Sequence, residues 1–452
     1  MSIRHNRRAF LQLSAGAALA AASGCTSHAS DVSAAKENPP RKPNFVILFT
    51  DDQGYGDLGC FGSRDIRTPR LDRMAAEGVK LTDFYSQPLC TPARAALLTG
   101  CYPPRVGYGE GVEFPHSHTG LNPDEITIAR LLKGSGYATA CIGKWHLGDA
   151  PKFLPMRQGF DTYFGLPYSN DMEPLALIRG EQTVEGPVDQ DSLTQRYTEE
   201  AIRFITANKD RPFLLYLPYA MPHVPLHASA KFRGKSARGL YGDVIEEIDA
   251  SAGEILDTLK RLGLDERTLV VFTSDNGPWT EKGTAGGSSG PLREGKFTIF
   301  EGGVREPCIM RWPGRLPAGQ TCPEVAATID LLPTFAALAG AALPRDREID
   351  GKNLFPLLTG QVTQSPHDLF CYFNGKRLGA VRRGRWKLFL GRGTGETHDG
   401  KKDDTALYDL QADIGETRNV AGDHPDIVSE LKSAAEKFDA EFSRSRRPVG
   451  HV

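Results

Sequence analysis

The chain has 452 residues, 40% of them apolar and 24% charged, with a formal net charge of −2. That length accommodates one large domain and a smaller one, each with its own core, and the near-neutral charge argues against a nucleic-acid partner. Beyond the first two dozen residues no apolar run is long enough to cross a bilayer, which argues against a membrane-embedded fold.

Arg7-Arg8-Ala9-Phe10-Leu11 precedes an alanine- and leucine-rich stretch free of acidic residues, the pattern of a twin-arginine export signal over residues 1–24. Cys25, after Ser23-Gly24, sits as in a lipoprotein processing site, where the thiol takes lipid and becomes an anchor. Cleavage there removes Arg4, Arg7 and Arg8 and no acid, so the charge falls from −2 to about −5. The expected location is the periplasm or cell envelope of a bacterium, with the twin-arginine translocase as partner and the membrane touched only through a lipid on Cys25. Residues 26–42, rich in Ser, Ala, Lys and Pro, read as a tether. Cys60, Cys101, Cys141, Cys308, Cys322 and Cys371 show no paired metal spacing and read as core residues.

Order is expected from Asn44. The run 44–50 (NFVILFT) is the pattern of a strand covered on both faces, and it ends in Asp51-Asp52. Tyr137 to Ile142 before Lys144 and His146, Phe213 to Leu217 before His223, and Leu269 to Thr273 before Asp275-Asn276 repeat that design. Helical spacing separates them, in Thr127 to Lys133 and in Tyr241 to Leu262. The alternation predicts an α/β fold, a large, mainly parallel sheet sandwiched by helices, over 43–360. Over 361–452 it predicts a smaller α+β subdomain with an antiparallel sheet: a hairpin from Leu378 to Leu390 turning at Gly384, a strand at Leu407 to Leu410, and a helix from Pro425 to Phe442. Ligands of such parallel sheets bind beyond the carboxyl ends of the strands, so residues distant in sequence can meet there.

Asp51, Asp52, Asp275 and Asn276 offer four hard oxygen ligands suited to a divalent cation such as calcium. Asp275-Asn276-Gly277-Pro278 alone reads equally well as a turn; two oxygen-rich pairs after buried strands shift the balance to metal. Cys90-Thr91-Pro92-Ala93-Arg94 opens a predicted helix, whose first N–H groups favour an anion, with Arg94 as a fixed cation beside it. Lys144 and His146, two apart, point the same way if their segment is extended. His223 lies in Pro222-His223-Val224-Pro225, where the prolines favour an extended backbone. Lys296, among glycines, reads alone as a solvated loop charge.

Taken in order, these segments, with Leu166 to Asp171, Gly290 to Lys296 and Glu301-Gly302-Gly303, resemble the type I, arylsulfatase-like sulfatases of the alkaline phosphatase superfamily. The resemblance covers nearly the whole chain after the export signal. It implies that Cys90, in the Cys-X-Pro-X-Arg motif, is converted by a formylglycine-generating enzyme to formylglycine (3-oxoalanine). The hydrated aldehyde attacks sulfur, a covalent sulfated enzyme forms, and sulfate leaves as the aldehyde re-forms. It implies Ca²⁺ held by Asp51, Asp52, Asp275, Asn276 and the modified Cys90, with Asp275 also drawing a proton from the attacking hydroxyl. Arg94 and Lys144 would neutralise the sulfate, Ser169 and Lys296 contact its other oxygens, His223 protonate the leaving alcohol and His146 take the proton that releases sulfate. Ala93 and Cys101 stand where serine and arginine are common, which bears on recognition by the modifying enzyme; Asn170 replaces a histidine of some relatives, which bears on substrate selection. The implied reaction is hydrolysis of a carbohydrate or aryl sulfate. The alternatives are phosphoester or phosphonate ester hydrolysis, and a lipid-anchored binder of sulfated glycans in which Cys90 is never oxidised.

Overall fold

A computed structural model describes residues 42–391 and 405–452; the expected export signal, Cys25 and the tether up to residue 41 lie outside the described residues. The apolar run Asn44–Thr50 forms β1, and its residues Phe45 to Phe49 are completely buried. Phe45, Ile47 and Phe49 enter one packed layer and Val46 and Leu48 the other. This two-sided burial is why the run is unbroken rather than alternating, and each such side chain contributes about 1.5–3 kcal/mol.

The main sheet continues with β2 (Val79–Tyr85), β3 (Ala138–Ile142), β4 (Thr162–Gly165), β5 (Leu177–Arg179), β6 (Gln182–Glu185), β7 (Phe213–Pro218), β8 (Thr268–Ser274), β9 (Arg305–Arg311) and β10 (Gln320–Cys322). Their order across it is β10-β2-β9-β8-β1-β7-β3-β4-β5-β6. The central strands β8, β1, β7, β3 and β4 are all parallel, whereas β9 runs antiparallel to both β8 and β2. Helices α1 (Pro69–Ala76), α2 (Cys90–Thr99), α3 (Ile128–Gly134), α4 (Leu193–Ala207), α5 (Leu240–Arg261) and α6 (Leu331–Ala339) cover the sheet. Apolar residues of α2, α3 and α6 join the layer of Phe45, and those of α1, α4 and α5 join the layer of Val46. The predicted sandwich is therefore present. Among the described residues no helix is long and apolar enough to cross a membrane.

The C-terminal part carries a separate antiparallel sheet, β11 (Phe370–Asn374), β12 (Arg377–Arg383), β13 (Trp386–Phe389) and β14 (Ala406–Asp409), with helix α7 (Pro425–Phe442). The predicted hairpin is β12–β13, and Gly384 at its turn has φ 56°. Strand β11 adds a hairpin beyond that prediction. Its turn contains Asn374-Gly375, a dipeptide suited to tight turns, with Gly375 at φ 62°.

Ionic contacts join the two sheets. Lys387 of β13, fully buried, lies 2.9 Å from both Glu301 and Glu416 and donates to the carbonyl of Ile299 at 2.8 Å. Arg382 pairs with Asp83 of β2 at 2.7 Å. Replacing Lys387 by methionine would leave buried Glu416 without its cation and Glu301 with only Arg305 and the Tyr85 hydroxyl, so Lys387→Met is expected to lower unfolding free energy by about 3–5 kcal/mol, measured by denaturant titration.

Candidate active site

Five parallel strands end at one rim of the sheet. Asp51 and Asp52 follow β1, Lys144 and His146 follow β3, Ser169 and Asn170 follow β4, His223 follows β7, and Asp275 and Asn276 follow β8. Cys90 opens α2, with Leu89 as its extended N-cap. All ten residues of α2 are buried, so Arg94 on that helix is a charge held inside the protein. Lys296 arrives on the loop before Glu301. None of these side chains is more than 6% exposed, which overturns the reading of Lys296 as a solvated loop charge.

The buried charges pair. Lys296 Nζ donates to Asp52 Oδ2 at 2.8 Å. Lys144 Nζ donates to Asp51 Oδ2 and to Ser169 Oγ at 3.0 Å. Arg94 donates to Asp275 Oδ2 and to the carbonyl of Lys144, each at 2.8 Å, with Asp51 3.5 Å away. Cys90 Sγ lies 3.3 Å from Asp51 Oδ1 and 3.8 Å from Asp52 Oδ1. Asp51 is held well below the usual carboxylate range, because Lys144 and Arg94 outweigh a burial that by itself raises it. Burial, then the Asp51 charge, push Asp275 up to about 7. Burial, then Asp275 and Asp51, push the Cys90 thiol well up; it stays protonated at neutral pH and is no nucleophile as it stands.

The two histidines are fixed in different tautomers. His146 Nε2 lies 3.0 Å from the carbonyl of Glu113. A carbonyl only accepts, so Nε2 carries the hydrogen and Nδ1, buried and without a partner among the described residues, keeps its lone pair. Burial, then Lys144 and Arg94, hold this ring well below its ordinary value, so it is neutral and open to a proton. His223 Nδ1 lies 2.6 Å from the carbonyl of Val224 and 3.1 Å from Asn170 Oδ1, so the hydrogen sits on Nδ1. Its Nε2 is 3.6 Å from Asp52 Oδ2. Burial lowers His223 as well, with Asp52 opposing.

Two local expectations are corrected. His146 has φ 61° and Asp52 φ 62°, left-handed values that non-glycine residues take at a cost of about 1–3 kcal/mol. The Lys144–His146 segment is therefore not extended, and the two side chains meet different partners. Residues 222–225 likewise form a bend, with cis bonds before both prolines, not an extended run. The Glu301-Gly302-Gly303 motif gains a physical reason. A Cβ on Gly302 would lie 2.3 Å from the carbonyl oxygen of Glu294, and one on Gly303 2.1 Å from that of Thr298. Only bare backbone lets the loop bearing Lys296 pack this closely.

Ligand atoms of Asp51, Asp52, Cys90 and His223 lie within 4.8 Å of one another. Asn276 adjoins them, its Nδ2 donating to Asp52 Oδ1 at 2.7 Å, while its buried Oδ1 meets no donor among the described residues. Asp275 adjoins through the Asp52 amide, which donates to its Oδ1 at 3.1 Å. Carboxylates plus an amide oxygen lacking a donor fit a hard cation.

The sulfatase family model matches residues 43–341. The chain belongs to the sulfatase family. A second model, described as N-sulphoglucosamine sulphohydrolase, C-terminal, matches residues 295–441. Human arylsulfatase A is 41% identical over 87% of this chain and 87% of its own length. Canine N-acetylgalactosamine-6-sulfatase is 44% identical over 77% of this chain and 72% of its own. Among solved structures, the PsFucS1 sulfatase of Pseudoalteromonas sp. superposes with a TM-score of 0.82 at 28% identity, covering 91% of this chain and 92% of that one. The chain is thus a type I sulfatase of the alkaline phosphatase superfamily, a sulfuric ester hydrolase.

Within that site, supporting residues emerge that the sequence reading did not single out for these roles. Thr91 Oγ1 donates to the carbonyl of His146 at 2.8 Å and accepts the amide of Glu113 at 3.1 Å, tying the Cys90 helix to the histidine and to the carbonyl that orients it. Asn170 grips His223 and is itself held by Gln190 at 3.0 Å. The signal for Thr91 was its place inside the Cys-X-Pro-X-Arg motif; Glu113 carries none, since it acts through its backbone. Asn170→Ala is expected to lower kcat/KM about tenfold, and a shift in the histidine limb of the pH profile separates lost orientation from lost fold.

Proposed function

We propose that this sulfatase hydrolyses the sulfate ester of a sugar or aryl alcohol with formylglycine derived from Cys90 and with Ca²⁺. One observation carries the reading: Cys90 is buried against Asp51 and Asp52, within a ring of three cations and two histidines of opposite tautomer. A buried thiol beside carboxylates is inert, whereas a polar oxygen function in its place suits those neighbours. When present, the hydrated aldehyde supplies the attacking oxygen, and the cation, held by Asp51, Asp52, Asp275 and Asn276, polarises the sulfate oxygens.

The chain's own residues do the rest. Asp275, beside the Asp52 amide and the Arg94 guanidinium, offers carboxylate oxygens that would hold the cation and can take the proton of the attacking hydroxyl. Arg94, Lys144 and Lys296 supply fixed positive charge for a tetrahedral oxyanion, and Ser169, already on Lys144, adds a hydroxyl donor. His223 presents Nε2 toward the leaving alcohol as acid, and His146 presents the bare Nδ1 as base. Two proton-transfer histidines favour turnover over mere binding of sulfated glycans. Substrate, formylglycine-generating enzyme, export by the twin-arginine translocase and a lipid on Cys25 belong to the same proposal, the last two supported by Arg7-Arg8 and Ser23-Gly24-Cys25.

Mass analysis of the Cys90 peptide from the native host is expected to show an aldehyde in place of the thiol, and that material to favour aryl sulfates over aryl phosphates by a wide margin. An intact thiol, or preferred turnover of the phosphate, removes the reading. The pH dependence follows from the histidines. His146 works deprotonated, so it is competent above its strongly lowered pKa. His223 works protonated, so competence is lost as pH rises through a pKa that lies below 6.5. The kcat/KM profile is therefore expected to peak on the acid side of 6.5, and His223→Gln to abolish its alkaline limb.

A further inference from the structure

Beside the reacting centre stands an aromatic pair that the chemistry above does not use. Trp279, three residues after Asn276, has its ring centroid 5.9 Å from that of His223 and meets Phe297 edge-on at 5.2 Å. Lys296 Nζ lies 4.7 Å from the Trp279 centroid, so the indole adjoins both the group assigned to the leaving alcohol, His223, and one assigned to the sulfate, Lys296. Phe297 is 40% exposed and sits at φ 78°, a left-handed conformation that a bulky residue rarely occupies. A large apolar side chain kept in solvent on strained backbone is not explained by packing. Its amide is pinned to the carbonyl of Pro88 at 2.9 Å, which fixes the ring beside the start of α2.

Phe297 also lines a cavity of about 290 Å³, near the lower end of the range for small-molecule sites. Leu89 and Pro92, on either side of Cys90, form part of its wall, and Phe373 closes it from the C-terminal sheet. Gln87, Glu110 and Asn374 put polar groups among these apolar surfaces. Apolar faces with polar groups between them match a pyranose, which has a flat C–H face and an equatorial belt of hydroxyls, better than a wholly apolar ring.

We propose that the ring of Phe297, backed edge-on by Trp279, forms the cavity wall against which the ring of a pyranosyl sulfate stacks, with Gln87, Glu110 and Asn374 reading its hydroxyls. The inference rests on the sulfatase reading and adds the residues that choose the alcohol. The test compares parent, Trp279→Ala and Phe297→Gly on ethyl sulfate, 4-nitrophenyl sulfate and a panel of hexose and hexosamine sulfates, using protein carrying the Cys90 modification. In both variants the preference for the best pyranosyl sulfate over ethyl sulfate is expected to fall about tenfold, chiefly through KM. Phe297→Gly is expected to melt no lower than the parent, because glycine is at ease at that φ. Equal losses on ring and acyclic substrates, or a parent active on 4-nitrophenyl sulfate and on no pyranosyl sulfate, overturn this inference and leave sulfate-ester hydrolysis standing. A parent that hydrolyses no sulfate ester overturns the proposed function, and the inference with it.

Discussion

Charge pairing away from bulk solvent governs this structure. Asp51, Asp52 and Asp275 are buried at the sheet rim together with Arg94, Lys144 and Lys296, three acids against three bases. A buried ion that loses its partner costs several kcal/mol, so β1, β3, β8, helix α2 and the Lys296 loop must arrive in mutual register or leave a charge uncompensated. Five parallel strand ends can satisfy this because they share one rim, and the switch point at β1, with β7 and β8 on either side, opens the crevice there. The balance also bears on ligands. A divalent cation among the aspartates moves the local charge by two toward positive, the sign a sulfate ester requires.

The C-terminal sheet belongs to the same arrangement. Lys387 reaches across to Ile299 and Glu301, the stretch that follows Lys296, while Gly302 and Gly303 let the loop 293–298 lie directly on their backbone. The loop that carries Lys296 is thus braced by bare backbone at Gly302 and Gly303 and by the buried ion network around Lys387. Phe373 and Asn374, from the same small sheet, line the cavity that Leu89, Pro92 and Phe297 also line. The C-terminal sheet thus both braces the Lys296 loop and lines the neighbouring cavity.

Much of this was legible in the chain. Runs such as Phe45 to Phe49 announce strands covered on both sides, and the polar residues directly after them mark the rim. Strands β2 and β9 were not, because Lys80, Asp83, Arg305 and Glu306 interrupt their apolar pattern; the pairing of Asp83 with Arg305 and Arg382 makes those charges tolerable inside, while burial pushes the Glu306 carboxyl well up, toward its neutral form. Lys296 read alone as a solvated charge, since nothing local to it reveals Asp52, 244 residues away. The expectation that Lys144 and His146 share one direction failed because left-handed backbone at His146 breaks the two-residue alternation that holds only in extended chain. The site's members could be named through their order along the chain; their hydrogen-bond partners required the fold.

His146 owes its tautomer to a main-chain oxygen, and every amino acid has one. Substitution at position 113 leaves that acceptor chemically intact, whereas lengthening or shortening the surrounding loop would carry it away. The position of the ring's hydrogen is therefore written in the path of the polypeptide and not in the identity of a neighbour. It can persist through any substitution at residue 113, and it can vanish by a single deletion that leaves every side chain of the site unaltered.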